Sequence, residues 1–356
     1  MAETLAELGG WPTVLGLLSA GQDLTAAQAG AVMAEILAGN ASPAQIAAVA
    51  MGLRMKGETV EEMAALVSAM LDVAERVVLG VDVAASVIDT CGTGGDRSGT
   101  INVSTIAALV AAGAGAKVCK HGGRAATSLA GSADVLEALG VVTDLGPVGV
   151  ARSIDEAGIG FCLAPRFHPG WRHAAPVRRE LGVPTVFNFL GPLANPGRVK
   201  RQVVGVSDSR MASKVLGVLG ANGASRALVV YGHDGLDELT TTDLSTVHSL
   251  VDGVVSTYTV DPGALGLAPA QRSALVGGDA ATNAAMLRAV LDGAPGAHRD
   301  IVMLNAAAAL VVAGLAADLA GGLALAGASI DSGAASRALD TLVRVSAEAA
   351  ADLPPA

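Results

Sequence analysis

The sequence predicts an α/β protein: a small all-helical domain, then a large domain with a mostly parallel central sheet flanked by helices. Three observations carry that expectation. The first eighty residues hold three helix-start signatures in succession, and the chain beyond them alternates short β-branched runs with helical patterns. The third is size and composition: 356 residues, 51% hydrophobic and only 16% charged, can fill a large core and exclude general disorder. Aromatics are 2%, so that core must be packed by Ala, Val, Leu and Ile.

Each element follows in order. Thr25-Ala-Ala-Gln28 is a capping box, followed by the apolar period of AGAVMAEILAG and a stop at Gly39. Ser42-Pro43-Ala44-Gln45 is a second, with proline at the first helical position and a stop near Gly57. Thr59-Val-Glu-Glu62 opens a third helix, expected to run through MAALVSAMLDVAERV. In each, the hydroxyl accepts from an orphan N–H while Glu or Gln reaches back. SVIDTCG then reads as a strand, NVSTIAALVAAGAGA as a helix, AKVCKHGG as a strand, and TSLAGSADVLEALG as loop and helix. The alternation continues at IGFCLAP, RQVVGVSD and SRALVVYGHDG. The expected small domain is 1–82, with part of 168–195 joining it through hinges; 83–167 and 196–356 form the large domain.

Four stretches carry chemistry. In Asp89-Thr-Cys-Gly-Thr-Gly-Gly-Asp96, glycines let backbone approach a pyrophosphate, and Asn102, Ser104 and Thr105 follow at a helix start that favours anions. The same glycines also suit a plain strand-to-helix turn. The stretch matches neither the triphosphate nor the dinucleotide loop pattern. Lys120-His-Gly-Gly-Arg124 brings two cations beside glycines, local positive charge for phosphate or simply a solvated face. His121 is open at this point between donating to a substrate and ordering the loop. Asp234-Gly-Leu-Asp237-Glu238 offers adjacent carboxylates, which in a turn are more often simply solvated but which a Mg²⁺-polyphosphate substrate needs. The proline-rich stretch 164–196, with Trp171, Arg178 and Arg179, offers apolar walls and cations for a planar aromatic acid, or a hinge.

Together these stretches resemble the anthranilate phosphoribosyltransferase family over nearly the whole chain. GTGGD, KHG-x-R, GSAD, APVRRELG, FNFLGPLANP and DGLDE occur in the family's order and spacing. The resemblance implies a nucleoside phosphorylase/phosphoribosyltransferase-like fold, two Mg²⁺ ions per active site, and a homodimer. It implies that phosphoribosyl pyrophosphate is bound by Gly92, Thr93, Gly94, Gly95, Asp96, Thr100, Asn102, Ser104, Thr105, Lys120 and Ser132. Ser104, Asp237 and Glu238 would be the metal ligands, and Lys120, Asp237 and Glu238 the catalytic set. Gly92, His121, Gly123, Pro165, His168, Trp171, Arg178 and Pro192 would shape the anthranilate site. The family's basic turn normally reads KHGNR. Here Gly123 stands in place of the asparagine, removing one neutral hydrogen bond worth about 0.5–1.5 kcal/mol. The alternatives are the same transfer to another aminobenzoate-like acceptor, or a pyrimidine nucleoside phosphorylase.

A net charge of −10 argues against nucleic acid as a partner, though a local basic site can still hold a small anion. Cys91, Cys119 and Cys162 stand far apart without CxxC spacing, which suits a reducing compartment, and no signal peptide is expected; the protein reads as cytoplasmic. The apolar run 301–317 contains Asn305 and much alanine, so a buried helix is expected rather than a membrane span.

Overall fold

The computed structural model describes residues 3–96, 98–125 and 129–352. Helices α1 (Gly10–Ser19), α2 (Ala26–Ala38), α3 (Pro43–Lys56) and α4 (Val60–Val73) make the small helical domain. All three capping boxes form, and α2 and α3 end on Gly39 (φ 80°) and Gly57 (φ 89°), where only glycine is unstrained. Glu62 does more than cap: its buried carboxylate also accepts from Leu24 N and Lys56 Nζ, each at 2.8 Å, fastening three helices together. The helix α4 is shorter than its pattern. Ala74 turns extended (ψ 143°) and Val77 N donates to Pro196 O at 3.2 Å, so a tertiary partner outcompetes the helix.

After α5 (Val81–Ser86) the alternation begins: β1 (Ile88–Gly92), α6 (Val103–Gly113), β2 (Val118–Gly122), α7 (Ser132–Ala138), α8 (Pro147–Ala157) and β3 (Ile159–Leu163). The proline-rich stretch folds as α9 (Ala164–Phe167), a 3₁₀ turn over Pro169–His173, α10 (Ala175–Leu181) and α11 (Phe187–Leu193). Of these, α10 packs on α3, the 3₁₀ turn on α2, and α11 on α4. Then come β4 (Arg201–Gly205), α12 (Ala212–Ala221), β5 (Arg226–Gly232), β6 (Ser245–Val251), β7 (Val254–Val260), α13 (Ala280–Leu291), α14 (Ala297–Ala313), α15 (Leu319–Asp331) and α16 (Ala334–Ala351).

The seven strands lie in the order β3-β2-β1-β4-β5-β6-β7, the first five parallel and β6 and β7 antiparallel. From β1 the chain winds outward to β2 and β3, then returns to lay β4 on the other side of β1. Loops leaving β1 and β4 therefore diverge, opening a crevice at their carboxyl ends, where ligands bind in such sheets. One sheet face is covered by α6, α13, α14 and their neighbours; the other packs α12 and the helical domain. Helix α14 is buried nearly throughout, which accounts for its apolarity, and among the described residues no helix is long and apolar enough to cross a membrane.

Candidate active site

The glycine loop after β1 sits in that crevice. Thr93 N donates to Gly205 O (2.9 Å) and Ser207 Oγ to Gly94 O (3.0 Å), tying the loop to the end of β4. Gly94 and Gly95 take φ of 65° and 82°, left-handed conformations that glycine adopts without strain. Below them Asp237 Oδ2 accepts from Gly94 N at 2.7 Å. The fit leaves no room for side chains. A Cβ on Gly92 would lie 2.4 Å from Asp237 Oδ2, and one on Gly205 1.6 Å from Asp237 O. The DGLDE turn is thus brought opposite the glycine loop.

Asp237 and Glu238 face a cleft of 770 Å³ together with Asp96, Ser104 and Lys120. Burial, then the charge of Asp96, pushes the Asp237 carboxyl up to about 7, although the Gly94 N–H pulls it down. Burial and the neighbouring Asp237 raise Glu238 well above the carboxylate range, with Lys120 opposing. Two carboxylates crowded in this way are stabilised by an added cation. Among the described residues no three His, Cys, Asp or Glu side chains could hold a metal alone. The donor set of two carboxylates and the Ser104 hydroxyl therefore fits a hard cation whose other ligands are phosphate oxygens and water.

Lys120, at the end of β2, is the buried cation of this cleft. It is 1% exposed, and its Nζ donates to Thr90 O at 2.5 Å and Ser104 Oγ at 3.3 Å, leaving one of its three protons uncommitted. Arg124 is the second cation of the turn. It lines the same cleft and is half exposed, but its guanidinium is forked onto Glu137 (2.6 and 2.7 Å) and reaches Asp134 (3.2 Å), so part of its charge is already paired with α7. Ala126 to Ser128, in the same basic stretch, lie outside the described residues.

A second cavity of 360 Å³ adjoins the first, lined by Thr93, His121, Pro165, His168, Trp171, Arg178, Phe187 and Pro192. Trp171 meets Phe187 edge-on (5.4 Å between centroids), and the Arg178 guanidinium lies 5.4 Å over the Trp171 ring. Burial lowers the pKa of Arg178, and its Nε has no hydrogen-bond partner, so this cation is poised for a carboxylate. His121 and Thr93 line both cavities. His121 Nδ1 is 3.1 Å from Gly191 O, a group that only accepts, so Nδ1 carries the proton. Burial, followed by the neighbouring His168, pushes His121 down to about 3, so the ring is neutral and its buried Nε2 is a bare, unpartnered acceptor. The Nδ1–H bond to Gly191 O ties the ring to the loop, and Nε2 is left as its acceptor nitrogen.

A cleft built for a metal-bound polyphosphate, opening onto an apolar slot with an arginine, can bring an anionic sugar donor and an aromatic acid together. Comparison with known proteins agrees. The model of the glycosyl transferase family a/b domain matches residues 84–336, and that of its helical bundle domain matches 12–74. Anthranilate phosphoribosyltransferase from Arthrobacter sp. (strain FB24) is 53% identical over 339 residues, 94% of this chain and 95% of that protein. The chain belongs to the anthranilate phosphoribosyltransferase family. The family's solved structures superimpose closely. The Thermus thermophilus enzyme has a TM-score of 0.88 at 40% identity, covering 94% of this chain and 99% of that one. The Saccharomyces cerevisiae enzyme, in complex with PRPP and Mg, has a TM-score of 0.85 at 28% identity, covering 95% and 98%.

Within this anthranilate phosphoribosyltransferase fold, Gly92 to Asp96, Thr100, Asn102, Ser104, Lys120, Gly123, Ser132, Asp237 and Glu238 all line the larger cleft. Pro165, His168, Trp171, Arg178 and Pro192 line the smaller. Thr105 is the exception. It is fully buried behind the wall, its hydroxyl donated to Ser132 Oγ at 3.0 Å, so it supports Ser132 instead of facing the cleft. Asn102 lines the cleft with both ends of its amide engaged, on Ala130 O and on Asn283 Nδ2. Sequence reasoning missed Ser207, Asn283, Gln202 and Asn195. The last lies inside FNFLGPLANP, but nothing local marks which polar residues of a loop turn inward.

Proposed function

We propose that the protein transfers the phosphoribosyl group of phosphoribosyl pyrophosphate to the amine of anthranilate, releasing pyrophosphate, as a step of tryptophan biosynthesis. The observation that carries this reading is the shared wall: His121 and Thr93 border both the anion-binding cleft and the arginine-bearing apolar slot. In this reading Arg178 pairs with the acceptor's carboxylate, and the ring lies against Trp171 and Pro192. The amine then faces the anomeric carbon across the wall that His121 and Thr93 share. The glycine loop holds the donor's phosphates. An aryl amine is a weak nucleophile, so leaving-group departure dominates, and Lys120 stabilises the charge growing on pyrophosphate. Mg²⁺ when bound neutralises that same charge, and we assign two ions to Ser104, Asp237 and Glu238.

The family resemblance supports a homodimer, with part of the segment 168–195 moving with the helical domain to exclude water. Three free, buried cysteines support a cytoplasmic setting. The test is pyrophosphate release from phosphoribosyl pyrophosphate with Mg²⁺, offering anthranilate beside substituted and para-aminobenzoates. Preference for anthranilate is expected. Preference for another aminobenzoate would move the acceptor assignment to that compound, and phosphorolysis of uridine or thymidine would overturn the reading.

A further inference from the structure

Asp89 is a fully buried carboxylate that the mechanism above does not use. The groups hydrogen-bonded to its side chain all donate. Its Oδ1 accepts from His121 N (3.1 Å), and its Oδ2 from Asn195 Nδ2 (2.8 Å) and Gln202 Nε2 (3.4 Å). The donors lead outward to the wall of the apolar slot. Gln202 Nε2 also donates to Pro192 O (2.9 Å), and His121 Nδ1 to Gly191 O (3.1 Å). Asn195 Nδ2 reaches Cys119 O (2.8 Å). Gly191 and Pro192 line the slot; β1, β2 and β4 carry the sheet side of the network. One acceptor group thus fastens the returning segment 191–195 to the strand end that carries Lys120 and His121.

We propose that Asp89 is a positioning residue that holds the aminobenzoate wall in register with the end of β2, setting the spacing between acceptor and sugar donor. This rests on the transferase reading above. Burial pushes the Asp89 carboxyl up while the Lys120 charge holds it down. A protonated Asp89 would turn its hydrogen toward groups that themselves donate. A neutral amide of the same shape fails for the same reason: in Asp89→Asn, one end of the new side chain must point N–H at N–H. Asn195 cannot relieve this by turning over, because its Oδ1 is held by Gly197 N at 2.8 Å. A buried donor left facing a donor costs enough to release the segment.

The experiment is Asp89→Asn, with steady-state kinetics on both substrates. About a tenfold rise in KM for the aminobenzoate is expected, with KM for phosphoribosyl pyrophosphate within twofold. A purely structural role would lower the active fraction and leave both KM values unchanged. That result in folded D89N protein overturns the proposal. Should D89N not fold, Gln202→Leu removes the arm from Asp89 to Pro192 while His121 and Asn195 stay on the carboxylate, and about a threefold rise in the same KM is expected; no change overturns the proposal. Imidazole ¹⁵N NMR gives a readout independent of turnover, the His121 signal being identified by its loss in His121→Gln. The wild type should show only the Nδ1–H tautomer at His121, and D89N or Q202L a mixture. If the wild type releases no pyrophosphate, the transferase reading fails. The NMR result then decides Asp89 alone, an unchanged tautomer overturning its positioning role.

Discussion

Asp237→Asn should make the metal-free protein more stable while destroying its activity. The carboxyl titrates at about 7 in the folded chain against an ordinary 3.8. Between those pH values the folded state holds a proton that the unfolded state has released, so stability falls as pH rises through the window. Above pH 7 the full cost of the buried charge is present. About three pH units at 1.36 kcal/mol each make roughly 4 kcal/mol. Asparagine keeps an acceptor for Gly94 N and carries no charge, so the variant escapes this cost. With an unfolding entropy near 2.1 cal/mol/K per residue, a chain of 356 residues should gain about 5 °C in Tm at pH 8. Calorimetry in chelator from about pH 4.5 to 8 tests this. The gain should shrink toward zero near pH 4. Mg²⁺ with pyrophosphate should raise Tm in the wild type and not in the variant. An equal or lower Tm for D237N at pH 8, or a gain independent of pH, would refute the reasoning.

Other perturbations separate the remaining parts of the site. Lys120→Met should lower kcat about 10²–10³-fold, the usual effect of losing one preorganised stabiliser of developing charge, as read by pyrophosphate release. Gly92→Ala places a Cβ 2.4 Å from Asp237 Oδ2, so turnover should fall at least ~tenfold with the far-UV spectrum retained. Arg178→Met should raise KM for the aminobenzoate about 10–100-fold through loss of a charge-assisted pair, leaving KM for phosphoribosyl pyrophosphate unchanged. At Gly123 a Cβ would meet nothing within 4 Å. Gly123→Asn should therefore leave Tm within about 2 °C and lower KM for anthranilate about three- to tenfold.

Local chemistry was legible wherever neighbours in sequence are also partners in space. The three capping boxes are contacts between residues three apart, and each forms. The glycine turns end strands, as their lack of a Cβ allows. The antiparallel pair β6 and β7 was not anticipated, although its signal is present. Asp252 and Gly253 both take positive φ (48° and 86°) between β-branched runs, the hairpin turn that an Asp-Gly pair favours. The end of α4 was misjudged because a helical pattern carries no information about Pro196, more than a hundred residues away.

The sequence by itself determined the helical and α/β parts, the order of the motifs and, through their resemblance, the family. Those are properties of periodicity, turn chemistry and residue identity, fixed before the chain folds. Only the tertiary structure decided which charges serve the site. Lys120 and Arg124 read alike as cations in one turn, yet one is buried at the cleft and the other is half exposed and forked onto Glu137. His121 became an acceptor because Gly191, seventy residues on, takes its only proton. Asp89 became a hub because donors from β2, β4 and the segment after α11 converge on it. Hydrogen bonding and desolvation depend on what stands opposite a group, and that is settled only when the strands are laid side by side.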